Sequence, residues 1–213
     1  MLVAVGGHSR NIGKTSVVAG LIRALPQWNW TAMKITQFGH GVCSVSGKGC
    51  DCCLQPEHAY AIAEETAPGH SDSGRFLSAG ARSSYWVRTA MGQLSCALPA
   101  IRKVLASSEN LIVESNSIAQ FLAPGDLYLV VLDGAQPDFK ASSLRFLERA
   151  DACVVVDRGA REPLWTGVSA ELWENKPRFR VRPPQYITAG LSSFVDDRLT
   201  LAAARAGNGS AVP

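Results

Sequence analysis

Apolar residues recur along this chain in two rhythms. Short continuous runs at 2–5, 31–36, 111–113, 127–132 and 152–156 are bounded by Gly or polar residues and predict buried strands. Residues 83–88 and 178–182 predict two more. Between them the spacing turns helical. Val17, Val18, Leu21, Ile22 and Leu25 share one face of a helix over 16–25, which Pro26 stops. Leu94, Leu98, Ile101 and Leu105 do the same over 90–105. Further helices are expected at 57–65, 142–149, 165–173 and 191–206, and a turn at 68–73.

Strands alternating with helices, several of them apolar throughout, imply an α/β fold with a mainly parallel sheet covered on both faces. Ligands of such folds bind at the carboxyl ends of the strands. Those ends carry Gly6-Gly7, Glu114, Asp133 and Asp157. The 213 residues suit one domain over 1–205, with a Cys-rich insertion loop at 37–58 and a small, polar, flexible tail at 206–213.

The first strand runs into Gly7-His8-Ser9-Arg10-Asn11-Ile12-Gly13-Lys14-Thr15-Ser16, and a helix follows. Strand, glycine loop, Gly-Lys-Thr and helix together predict a phosphate loop and the three-layer P-loop NTPase fold. Backbone N–H groups of loop and helix start bind phosphate oxygens. Lys14 neutralises the β- and γ-phosphates, and the Thr15 hydroxyl ligates Mg²⁺. Five residues, not the usual four, separate Gly7 from Gly13. That longer loop resembles the one of dethiobiotin synthetase.

A metal-bound triphosphate also needs an acid. Glu114 ends the run 111–113 and is the candidate second Mg²⁺ residue opposite Thr15. Asp72, three residues before Arg75, is a candidate catalytic acid beside Lys14 and Glu114, and also a good helix N-cap. His8 and Lys34 are candidate substrate contacts; Asp133 and Asp157 serve equally as strand ends.

The loop, Ala32-Met33-Lys34-Ile35, Asp72-Ser73-Gly74-Arg75 with Ala79-Gly80-Ala81, and Leu111-Ile112-Val113-Glu114 together resemble the MobB family, over about the first two thirds of the chain. MobB proteins are P-loop accessory factors of molybdopterin-guanine dinucleotide biosynthesis. The resemblance implies GTP binding with weak hydrolysis and help to a partner nucleotidyltransferase. It assigns phosphate contacts to Gly13, Lys14, Thr15 and Ser16, and metal duties to Glu114 and Asp72. The chain departs from the family at Ser115-Asn116, where a glycine follows the acid. No Asn-Lys-x-Asp motif for guanine follows a strand, so ATP and GTP both stay open.

Cys43, Cys50, Cys52 and Cys53 fall within eleven residues, flanked by His40 and His58. Four thiols in a Gly/Ser-rich loop suit a soft metal, Zn²⁺ or an iron–sulfur cluster; inert or redox-sensitive thiols are the alternative. Cys96 and Cys153 are expected in the core. No export signal precedes the first strand, no run is long and apolar enough to span a bilayer, and the net charge is only +3. A cytoplasmic protein without nucleic-acid or membrane partners is expected, and a homodimer is common in this class. Three functions fit: a GTPase or ATPase accessory factor of molybdenum-cofactor or related cofactor and metal assembly, an ATP-dependent small-molecule kinase or ligase, and a nucleotide-gated metal carrier.

Overall fold

The computed structural model describes residues 1–38, 59–160 and 162–209. The described elements include eight strands, β1 (Leu2–Gly7), β2 (Trp30–Phe38), β3 (Tyr60–Glu64), β4 (Ser83–Ala90), β5 (Asn110–Glu114), β6 (Leu127–Asp133), β7 (Ala152–Val156) and β8 (Arg178–Val181). The helices are α1 (Lys14–Ala24), α2 (Asp72–Ser78), α3 (Leu94–Ala106), α4 (Ala141–Leu147), α5 (Glu171–Glu174) and α6 (Ala189–Gly209).

One sheet holds all eight strands in the order β3-β4-β2-β5-β1-β6-β7-β8. Every pairing is parallel except β3 with β4. The alternation of side chains along the buried strands makes two cores. Val3, Val5, Ile112, Leu129 and Val131 face α1, α2 and α6 through Val17, Leu21, Phe76, Leu191 and Val195. Leu2, Ala4, Leu111, Val113 and Val130 face α3 and α4 through Leu94, Ile101 and Leu147. Helices on both faces complete the three layers expected from the parallel, apolar strands. From β1 the chain crosses to β2 and later returns β5 to the slot between them, while β6 to β8 extend the other edge. The crevice at that switch opens at the carboxyl ends of β1, β2 and β5.

Three expectations need correction. Residues 57–65 were expected to be helical, yet Tyr60–Glu64 is strand β3. Ala and Glu favour a helix, but antiparallel pairing with β4 and the contact of Tyr60 with the second core override that local preference. Residues 165–173 hold no long helix. Gly167 takes a left-handed φ of 73°, and only Glu171–Glu174 is helical. Trp165 instead packs inward, its ring 4.8 Å from that of His8. Cys96, expected in the core, is exposed on α3, whereas Cys153 is buried in β7, where burial pushes its thiol up to about 11. No helix among the described residues is long and apolar enough to cross a membrane.

One packing detail bears on the site. A Cβ on Gly20 of α1 would lie 2.3 Å from Cγ1 of Ile187 in the segment before α6. A glycine inside a helix ordinarily costs about 1 kcal/mol against alanine, but here it is the notch that seats Ile187. Gly20→Ala should therefore destabilise the protein by about 1 kcal/mol despite its better helix propensity. In an Ile187→Ala background the same change should turn stabilising. Urea denaturation of the four proteins checks this; a Gly20→Ala that stabilises both backgrounds alike would contradict the packing.

Candidate functional site

The loop leaves β1 at Gly7 and returns to helical geometry at Gly13, the N-cap of α1, whose φ of 94° suits glycine. Asn11 is also left-handed, at φ 57°. Lys14 folds back so that Nζ donates to Ser9 O at 2.5 Å. On the facing side Asn116 grips the strand end. Gly7 N donates to Asn116 Oδ1 at 2.6 Å, and Asn116 Nδ2 donates to Gly7 O at 3.0 Å.

Glu114 closes β5 and is buried, 2% exposed. A carboxylate there must be paired. Thr15 Oγ1 donates to its Oε2 at 2.7 Å, and the Lys34 ammonium touches its Oε1. Lys34 comes from β2, where it pairs in register with Glu114. Its Nζ also lies 3.0 Å from Asp72 Oδ2. Burial alone would raise the Asp72 carboxyl, but the Lys34 hydrogen bond and charge hold it below the usual value. Asp72 is the first residue of α2 and not its cap; the Ser71 hydroxyl does that, accepting from Gly74 N at 2.9 Å. Asp72 is thereby left free to face Lys34. Arg75, one turn on, donates to Ser16 Oγ at 3.0 Å.

These groups border a cavity of about 600 Å³. Of the sequence-proposed loop, Arg10, Asn11, Gly13, Lys14, Thr15 and Ser16 line it, together with Lys34, Asp72 and Glu114. Gly7, His8, Ser9 and Ile12 do not. Ile12 is core, and Ser9 Oγ donates to Asp138 Oδ2 at 2.9 Å. His8 points away from the cavity. Asp133 N donates to its Nε2 at 3.0 Å, so Nδ1 carries the proton and donates to Asp138 O at 2.8 Å. Burial, the largest influence, lowers its pKa and keeps it neutral. His8 thus fastens the loop to the end of β6. Asp133 is fully buried and accepts from Arg158 Nε at 2.7 Å; Asp157 pairs with Arg182 at 2.9 Å. Neither acid lines the cavity.

Asn116, Lys140 and Tyr186 line the cavity without having been singled out from the sequence. The polar Ser115-Asn116 in place of glycine is the one signal that marked Asn116. Five cations (Arg10, Lys14, Lys34, Arg75, Lys140) stand against two carboxylates (Asp72, Glu114), a surplus of three positive charges at the cavity wall. That field, with the first turn of α1 and its unpaired N–H groups, suits a polyanion. Among the described residues, no group of three or more His, Cys, Asp or Glu is arranged to hold a metal ion. Cys43, Cys50, Cys52 and Cys53, with the Zn²⁺ or iron–sulfur expectation they carry, lie outside the described residues.

No family model matches the chain, and no curated protein matches it. Fourteen solved chains do match in structure. HypB from Helicobacter pylori, crystallised in complex with nickel, aligns over 93% of this chain and 86% of its own, with a TM-score of 0.51 and 13% identity. LpxK from Aquifex aeolicus, in complex with ATP, aligns over 84% of this chain and 53% of its own, with a TM-score of 0.48 and 15% identity. At 13% identity the likeness to HypB is one of fold, and the fold is that of the P-loop NTPases. It does not single out the MobB family.

Lys14 carries a measurable signature. Burial, partly offset by Glu114, lowers its pKa from 10.5 to about 8. Its folded pKa lies below its unfolded one, so the charged form costs stability at pH 7, by about 3 kcal/mol. Between pH 8 and 10.5 the unfolded chain binds more protons than the folded one, and that cost fades as pH rises. Lys14→Met should therefore be more stable than the wild type below pH 8, with the gap closing by pH 10.5. Urea titrations across this range test it, and a gap independent of pH would contradict it.

Proposed function

We propose that this protein is a Mg²⁺-dependent nucleoside triphosphatase acting as an accessory factor in molybdenum-cofactor or related cofactor and metal assembly. One observation carries the nucleotide reading. Lys14 and Thr15 from the loop, Glu114 from β5 and Asp72 from α2 converge on one cation-rich cavity at the carboxyl ends of β1, β2 and β5. The carboxylates already hold a positive charge there, the Lys34 ammonium, so a divalent cation fits the same donors. Thr15, Glu114 and Asp72 would hold Mg²⁺, which when bound neutralises charge on the phosphates.

The chain's own groups then divide the work. Lys14 meets the charge of the β- and γ-phosphates, and the α1 N–H groups meet their oxygens. Asp72, kept ionised, and Glu114 orient the attacking water. A metal held by these carboxylates would compete with Lys34 for them, and nucleotide loading would then rearrange the contacts that Lys34 makes from β2 to Glu114 and Asp72. A partner enzyme would read that rearrangement. The accessory role is supported by the motifs shared with MobB, and the nickel bound to HypB is a precedent for metal handling on this fold.

A second reading, an ATP-dependent kinase or ligase, is favoured by the polar wall beyond the carboxylates. Gln37, Ser115, Ser117 and Lys140 border the same cavity and leave room for an acceptor.

Steady-state turnover separates the two. Slow release of inorganic phosphate from ATP or GTP without any acceptor, abolished by removing Mg²⁺, is the expected result. Glu114→Gln should lower that turnover roughly 100-fold with nucleotide affinity changed only a few-fold. Turnover that starts only when a small-molecule acceptor is added would favour the kinase or ligase; unaltered turnover in Glu114→Gln would contradict the assigned roles.

A further inference from the structure

The cavity around Lys14 provides for phosphates, and the groove beside it bears on the rest of a nucleotide. This groove, of about 690 Å³, shares Ser16, Arg75 and Tyr186 with the cavity, and so continues it. It follows α1 past Ala19 and Gly20, with the segment holding Pro184, Tyr186 and Ile187 packed alongside and Arg75 and Ser78 of α2 also lining it. Its volume is within the range of small-molecule sites.

The direction of a bound nucleotide follows from charge. Terminal phosphates held by Lys14 and Thr15 would lie next to the carboxylates of Glu114 and Asp72. Ser16 is the next residue of the first turn of α1, and a chain of phosphates leaving the carboxylates would pass it. The nucleoside would then lie away from Glu114 and Asp72. Beyond Ser16 stands the ring of Tyr186.

That ring is held in place from two sides. A Cβ on Gly13 would sit 2.0 Å from Cε1 of Tyr186, so the ring rests directly on the loop backbone. The next residue, Ile187, is seated in the Gly20 notch. The loop that takes the phosphates and the ring beyond it are therefore parts of one rigid set of contacts. An aromatic face on a rigid support binds any purine by stacking, with no need to read its edge. This agrees with a sequence in which no Asn-Lys-x-Asp motif follows a strand.

We infer that Tyr186 is the platform on which the base of the nucleotide stacks, with the nucleoside lying in the groove lined by α1, the Pro184–Ile187 segment and α2. The inference rests on the nucleotide-binding reading above, and it adds where the nucleoside sits and which side chain holds it.

The test compares ATP and GTP with inorganic tripolyphosphate, each with Mg²⁺, by calorimetry on the full chain. The wild type should bind all three. Tyr186→Ala should lose affinity for ATP and GTP alike by about tenfold or more and keep its tripolyphosphate affinity within twofold. Tyr186→Phe, which keeps the ring, should bind all three like the wild type. If Tyr186→Ala does not fold, Tyr186→Leu, with similar bulk and no aromatic face, takes its place. Equal loss for nucleotides and tripolyphosphate, no loss for either, or a Tyr186→Phe as weak as Tyr186→Leu would overturn the platform. A wild type that does not bind tripolyphosphate or nucleotides would overturn the nucleotide reading itself, and the platform with it.

Discussion

A carboxylate buried at the end of a central strand is the constraint around which this molecule is arranged. Glu114 is almost without solvent, so its charge has to be met by the protein. Thr15 meets it from the first turn of α1, and Lys34 meets it from β2. Lys34 in turn holds Asp72 and so fixes the start of α2. One pairing thus ties β5, β2, α1 and α2 together at the point where the sheet changes direction. The same groups are the ones that phosphates and a metal would require. Structural need and chemical use coincide here, and the cost shows in Lys14, a lysine kept in a buried place where its charge is unfavourable.

The loop is anchored at both shoulders. Asn116 doubles up on Gly7 from β5, while neutral His8 reaches the end of β6 and the turn at Asp138. His8 also packs against Phe139 and Trp165, with ring centroids 5.0 and 4.8 Å away. A residue that stands where a phosphate loop usually has glycine therefore works below the loop. It gives the loop a fixed floor at the end of β6.

How much of this was legible in the sequence depends on the range of the forces involved. Continuous apolar runs such as 111–113 and 127–132 have one solution, a strand buried on both sides, and they were readable. So was the phosphate loop, because strand, glycines, Lys14-Thr15 and helix lie side by side in the chain. Glu114 and Asp72 were readable as acids at the ends of elements, but their shared partner Lys34 is 80 residues from Glu114 and declares itself only through β-sheet register. Tyr60–Glu64 carries helix-favouring residues, and its place as the edge strand beside β4 is one that no local pattern reveals. Lys140 and Tyr186 carry no local signal. They reach the cavity because β6 and β8 end at the same rim as β1. His8 looked like a phosphate contact by position alone, and only its two backbone partners reveal its other role.

The most direct test of the central claim is a calorimetric titration of ATP and GTP, with Mg²⁺, into the wild type and Lys14→Ala. The expected result is saturable one-site binding to the wild type and no detectable binding to Lys14→Ala, with the variant's melting temperature at or above that of the wild type. Equal affinity in the two proteins would contradict the assignment of this cavity to a nucleoside triphosphate.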